Sequence, residues 1–213
     1  MFLPNKKKVN IILENIFYIN LKEREDRKKH VESELNELNW KYQRFEAIKA
    51  NSGRVGCSMS HLKILKHAKE NNLPYVVVME DDIQFTNKKK YNSLLKDFMD
   101  RKINYDVLLL AGNLRKPIKK ITPHILKIKK SFTTTGYIVK QHYYDAMIEN
   151  IKQGIQNLIQ DPSNGMNAID VYWMKLQSKD NWYILYPRTI TQLPDYSDIE
   201  KTEVNYNHLM LDS

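Results

Sequence analysis

The chain predicts an α/β sandwich with a mostly parallel central sheet. Three observations carry that prediction. Short runs of apolar, β-branched and aromatic residues alternate with segments of helical periodicity through the first half. The order strand, helix, strand, helix, strand, helix, strand places consecutive strands beside one another through helical crossovers. No repeat, linker or shift in composition divides the 213 residues, so one domain over residues 1–213 is expected.

Ile16-Phe17-Tyr18-Ile19-Asn20-Leu21 reads as the first strand. Residues 24–38 read as a helix, with Val31, Leu35 and Leu38 on one face. Residues 42–48 form a second strand. Ser58 or Ser60 can cap a helix that runs to about Asn71 and buries Leu62, Leu65 and Ala68. Tyr75-Val76-Val77-Val78-Met79 is a third strand, followed by a helix over residues 91–101 and a buried strand over 106–112. Residues 118–130, broken by Pro123, read as a β-hairpin or an irregular excursion. Residues 132–139 read as a strand, and 143–159 as a helix with a break at Gly154. Residues 169–177 form a short helix. The tail from Tyr186, with Pro187 and Pro194, reads as an ordered loop.

Composition narrows the function. Hydrophobic residues at 42% and charged residues at 28% are ordinary for a globular protein. No apolar run is long enough to span a bilayer. The opening Met1-Phe2-Leu3-Pro4-Asn5-Lys6-Lys7-Lys8 has its charge after too short an apolar stretch for a signal peptide. The single Cys57 excludes an intramolecular disulfide framework and suits a reducing compartment, so a cytoplasmic location is expected. A net charge of +9 admits anionic membrane surfaces, phosphorylated ligands or nucleic acid as partners. There is no Gly-x-Gly-x-x-Gly after the first strand and no Walker-type loop, so neither a dinucleotide nor a P-loop site is expected.

The third strand runs into Glu80-Asp81-Asp82. Three adjacent carboxylates repel one another and are costly to desolvate, and a hard divalent cation relieves that repulsion. Strand alternation puts Glu80 and Asp82 on one face and Asp81 on the other. The working metal pair is therefore Glu80 and Asp82, the alternative being a solvated acidic turn.

Several segments then point one way together: Phe17-Tyr18-Ile19-Asn20-Leu21-Lys22-Glu23-Arg24-Glu25-Asp26-Arg27, Gly56-Cys57-Ser58-Met59-Ser60-His61, Val78-Met79-Glu80-Asp81-Asp82-Ile83, Thr134-Thr135-Gly136-Tyr137, and Pro187, Gln192 and Ser197-Asp198-Ile199. Their order and spacing resemble glycosyltransferase family 25, which includes lipopolysaccharide galactosyltransferases and collagen-type hydroxylysine galactosyltransferases. The resemblance covers nearly the whole chain. It implies a GT-A-type, Rossmann-like fold, a UDP-sugar donor, Mn²⁺ or Mg²⁺ as cofactor, and inversion at the sugar carbon.

On that resemblance the acidic triplet is the family's version of the Asp-x-Asp metal motif, with Asp81 beside the donor. Ile19, Asn20 and Leu21 offer backbone groups to the base. Arg24 and Arg27 meet uridine or phosphate, or else pair with Glu23 and Asp26 at a solvated helix start. Ser60 and His61 open a helix toward the ligand, although a histidine there also serves as a structural hydrogen-bonder. Asp170, late in the fold, fits the general base that inversion needs, with Asp145 and Asp198 as weaker candidates. His208 is the candidate third metal ligand. Gln192 and Asp195 are expected against the donor sugar, and Gly136 to admit backbone close to it. Trp40, Trp173 and Trp182 read as core. The segment between Ile48 and Gly56 is shorter than is general in the family, which points to an open acceptor pocket.

The expected activity is transfer of galactose or glucose onto a hydroxyl of a glycan, glycolipid or hydroxylysine acceptor, with peripheral contact to an anionic membrane. A Mg²⁺-dependent phosphoryl-transfer enzyme or nuclease is the rival; it needs further carboxylates converging on the triplet. A nucleic-acid binder needs a coherent basic face with aromatics, which the scattered lysines do not suggest.

Overall fold

The computed structural model describes residues 12–212. The N-terminal lysine run and the leader reading lie outside the described residues. In chain order the elements are β1 (Ile16–Asn20), α1 (Glu25–Glu37), β2 (Tyr42–Glu46), α2 (Gly53–Glu70), β3 (Tyr75–Glu80), β4 (Ile83–Phe85), α3 (Lys88–Asp100), β5 (Val107–Leu109), β6 (Asn113–Leu114), β7 (Ile118–Thr122), β8 (Ile125–Ile128), β9 (Ser131–Phe132), β10 (Gly136–Lys140), α4 (Tyr144–Gln160), α5 (Ile169–Tyr172), α6 (Met174–Lys179), β11 (Trp182–Leu185), β12 (Ile190–Gln192), β13 (Asp195–Ser197), β14 (Thr202–Val204) and α7 (Asn207–Met210).

Eight strands form the central sheet in the order β2-β1-β3-β10-β5-β11-β8-β7. Six point one way; β10 and β8 oppose them. The inner strands β1, β3, β10, β5 and β11 are buried on both faces because they are apolar at nearly every position, not at alternate ones, whereas the edge strands β2 and β7 carry polar residues and are partly or wholly exposed. Ile16, Tyr18, Val77 and Met79 enter the layer beneath α1 and α3, with Leu35, Leu94 and Phe98. Phe17, Ile19, Val76 and Val78 enter the layer beneath α2 and α4, with Leu65, Met147 and Ile151. The period of two thus sorts each strand between two cores. All three tryptophans are buried in these cores, as expected.

Helix ends depart from expectation in two places. The α2 helix begins at Gly53, a full turn before Ser58, so neither Ser58 nor Ser60 is its cap. Gly56 permits this, because a Cβ there would lie 2.4 Å from the Ile48 carbonyl oxygen. The α4 helix runs unbroken through Gly154, whose missing side chain lets Tyr172 pack 3.3 Å from where a Cβ would sit. The excursion at 118–130 is the β7–β8 hairpin. The C-terminal tail is more regular than its prolines suggest: β12 pairs with β4, and β13 with β14. No helix among the described residues is long and apolar enough to cross a membrane.

The carboxyl ends of β1 and β3 lie side by side, since Ile19 pairs with Glu80. Beyond β3 the direction reverses at β10. Open α/β sheets place ligand crevices beyond the carboxyl ends of strands, where their order changes.

Candidate active site

Two adjoining cavities open at that edge. One, of about 410 Å³, is lined by Ile19, Leu21, Arg27, Ser60, His61 and the whole acidic triplet. The other, of about 380 Å³, is lined by Asp170, Thr133, Thr134, Phe132, Arg54 and Arg115. Cys57, Glu80, Gln192, Ser197 and Ile199 line both, so the cavities are two lobes of one cleft.

The triplet meets the junction at Glu80. β3 ends at Glu80, and Asp81-Asp82 turn the chain into β4, so strict strand alternation stops two residues before Asp82. Glu80 accepts a hydrogen bond from the Thr134 hydroxyl at 2.7 Å, and His61 Nε2 lies 3.6 Å from the same oxygen. Burial pushes Glu80 up, but the His61 ring, the Thr134 hydroxyl and Arg27 outweigh it and hold it below the usual range. Asp81 accepts from the Asn20 amide at 2.7 Å and faces Arg27 at 3.4 Å; burial still raises it. Asp82 faces Arg27 at 3.5 Å and accepts from Gln192 at 3.2 Å. Burial, reinforced by Glu80 and Asp81, pushes Asp82 up to about 8.

Among the described residues, Asp82 Oδ1 and His61 Nε2 are buried without a hydrogen-bond partner. His61 Nε2 lies beside Glu80, whereas Asp82 is not among the groups whose donor atoms converge with theirs. The proton that Asp82 holds, by burial and then beside Glu80 and Asp81, reports in part the mutual repulsion of the three carboxyls, which a divalent cation would relieve. Cys57, His61 and Glu80 each present a donor atom within 4.8 Å of the others. Burial, then Glu80 and Asp170, pushes the Cys57 thiol up, which keeps it a neutral donor toward Glu80 at 3.8 Å.

Helix α2 sets His61. Its Nδ1 meets the Tyr137 hydroxyl at 2.8 Å, and the two rings stack at 5.6 Å. Ser60 is a brace: its hydroxyl donates to the Gly56 carbonyl and accepts from the Ile48 amide, both at 2.8 Å. Together they fix the start of α2 beside the 410 Å³ lobe.

Asp170 stands in the first turn of α5 and accepts from the Thr133 amide at 3.1 Å. Thr133 has φ 75°, an unusual conformation for a β-branched residue, and its hydroxyl is 2.6 Å from that of Thr135. The Asp170 carboxylate thus secures a strained turn on the wall of its lobe. Burial and the charge of Glu80 push Asp170 above its ordinary range, against the Thr133 amide.

Five expected residues stand elsewhere. Arg24 pairs with Asp26 at 2.8 Å, Asp195 at 2.5 Å and Asp198 at 2.8 Å, tying α1 to the C-terminal segment. Arg24 and Asp195 are therefore a clamp outside the lining of both lobes. Asn20 is buried behind the triplet, bridging Asp81 and Arg44. Gly136 is covered by Ile83 and Leu110, each 3.1 Å from where a Cβ would sit, so its smallness serves core packing and not sugar approach. His208 is exposed on α7 and lines neither lobe. Of the weaker base candidates, Asp145 is exposed and paired with Lys69, and Asp198 is held by Arg24. Asp106 receives the Asn181 amide and His142 at the amino end of β5, away from the triplet.

Residues 13–54 and 51–163 match the profile of the family described as Glycosyltransferase family 25 (LPS biosynthesis protein). The chain belongs to glycosyltransferase family 25. Over 173 residues it is 25% identical to procollagen galactosyltransferase 1-A of Xenopus laevis, a match covering 64% of this chain and 28% of that protein. It is 28% identical over 91 residues to inactive glycosyltransferase 25 family member 3 of Mus musculus, covering 40% of this chain and 15% of that one. The chain thus spans under a third of the length of either relative. Among solved structures, a glycosyltransferase involved in glycosylation of the major capsid of PBCV-1 aligns with 80% of this chain and 91% of its own, with 11% identity and a TM-score of 0.45.

Family membership and fold agree with the sequence reading. The matched region holds β1, the Gly56-to-His61 segment and the triplet. Cys57 and Thr134 line the cleft and contact Glu80, and the chemical reading passed over both. Cys57 was legible, because it is four residues before His61 on one helix and shares its face. Thr134 gave no such signal, since its bond to Glu80 spans 54 positions.

Proposed function

We propose that this protein is a metal-dependent, inverting hexosyltransferase that moves galactose or glucose from a UDP-sugar to an acceptor hydroxyl. The observation that carries this reading is the two-lobed cleft, with Glu80 of the acidic triplet at the junction, Asp81 and Asp82 in one lobe and the half-buried Asp170 carboxylate on the wall of the other. Glu80 and Asp82 would hold the cation, with His61 Nε2 adjacent. A cation bound there supplies positive charge beside the departing nucleoside diphosphate.

The chain's own residues do the remainder. Ile19 and Leu21 wall the donor lobe, and Ser60 and His61 close it from α2. Arg27 steadies Asp81 and Asp82. Gln192 reaches both lobes, where it can position the transferred sugar. Asp170 faces the acceptor lobe, its raised affinity for a proton suiting it to take one from the acceptor hydroxyl. The acceptor class is a glycan, a glycolipid or a hydroxylysine side chain.

The test is turnover across a panel of nucleotide sugars, with Mn²⁺ and with chelator. Metal-dependent release of UDP from one hexose donor is expected. Equal turnover in chelator, or turnover of no nucleotide sugar with any acceptor class, would remove this reading.

A further inference from the structure

The β7–β8 hairpin lies at the edge of the central sheet, with β7 unpaired on its outer side among the described residues. Residues 107–144 contain eight Lys and Arg and no Asp or Glu, against a net charge of +9 for the whole chain. The positive excess is therefore concentrated in one segment, which corrects the impression of scattered lysines. Lys116, Lys119, Lys120, Lys129 and Lys130 are exposed on it, and none has an ion-pair partner among the described residues. Between these lysines stand Ile118 and Ile121, 38% and 40% exposed. The hairpin is continuous with the acceptor lobe. Its stem is closed by the Arg115 amide donating to the Lys130 carbonyl at 2.8 Å, and by β6 pairing with β9. Arg115 and Phe132 at that stem line the lobe, with the guanidinium 5.6 Å from the ring centre.

We propose that this hairpin docks the protein on an anionic lipid bilayer and holds the mouth of the acceptor lobe at the membrane surface. Lysines supply attraction to acidic headgroups, and the isoleucines supply apolar side chains that enter the boundary between headgroups and acyl chains. A second copy of the chain is the poorer occupant. Pairing two β7 edges antiparallel about their centre sets Lys120 against Lys120, the arrangement by which edge strands avoid self-association. Nucleic acid would use the lysines but leaves the isoleucines without a role. The proposal does not depend on which sugar is transferred.

Co-sedimentation of the full chain with vesicles tests it. Binding is expected to mixed phosphatidylcholine–phosphatidylglycerol vesicles, not to phosphatidylcholine alone, and to weaken as salt rises. Lys119→Glu with Lys120→Glu should lower the partition coefficient by about tenfold or more. Ile118→Ser with Ile121→Ser should lower it while leaving the salt dependence in place. Lys63→Glu with Lys66→Glu, exposed on α2, changes the net charge equally and should have little effect. Circular dichroism confirms that each variant folds. Absence of binding to the mixed vesicles, an equal loss in the α2 pair, or tighter hairpin-dependent binding to single-stranded nucleic acid would overturn the proposal. Turnover on a soluble acceptor should survive the hairpin changes, so this result and the transferase reading can fail separately.

Discussion

Asp82→Asn is expected to lower metal-dependent turnover roughly a hundred- to a thousandfold, the usual loss when one preorganised electrostatic contact at a reacting phosphate is removed. The change keeps the shape of the side chain and the contact with Gln192. It removes the charge that would hold the cation. The same variant should behave oppositely in stability. In the metal-free protein the Asp82 carboxyl is pushed up to about 8 by burial beside Glu80 and Asp81, far above the unfolded value near about 4. The folded state therefore binds more protons than the unfolded state across that interval. The contribution is fully present below about pH 4 and is lost as pH rises through about 8, on the order of a few kcal/mol. Metal-free wild type should lose stability over this window by denaturant titration, and Asp82→Asn should lose less. A variant that keeps full metal-dependent turnover would show that the cation, if used, is held elsewhere.

Asp170→Asn is expected to cut kcat by about 10²–10⁴-fold while UDP affinity changes little, because a general base acts in the transition state and not on the bound donor. The amide oxygen can still accept from Thr133, so the strained turn at φ 75° keeps its anchor. The wild-type profile carries a second signature. Asp170 must be unprotonated to act, and burial with Glu80 raises it. Activity should therefore climb with pH through a value above the ordinary aspartate range, and that limb should vanish in Asp170→Asn. Unchanged kcat would leave Asp170 as an anchor of the Thr133 turn and nothing more.

The strands were readable because their residues carry strong local preferences. Ile16 to Ile19 and Val76 to Val78 are apolar at every position, and the sheet buries both of their faces. What failed locally was set by distant contacts. The start of α2 was hidden by Gly53 and Gly56, poor helix formers, one of which is needed for the approach of Ile48. The strand β12 was hidden behind Pro187 because its partner β4 lies about a hundred residues earlier. The site divides in the same way. The triplet announces itself by charge placed where folding alone gives no reason for it; Asp170 came only from the resemblance, because an aspartate in the first turn of a helix is ordinary. Arg24 looked like a phosphate ligand because its partners Asp195 and Asp198 are remote in sequence. Gly136 looked like a ligand contact because a glycine pressed between Ile83 and Leu110 reads the same in sequence as one pressed against a sugar.

The central claim is a cation-dependent nucleoside diphosphate site at the Glu80–Asp82 junction. Calorimetric titration of UDP into the full chain, once with Mn²⁺ and once with EDTA, tests it most directly. Binding with Mn²⁺ that disappears in EDTA and in Asp82→Asn is the expected result. Equal binding in EDTA, or no UDP binding with Mn²⁺ present, would contradict it.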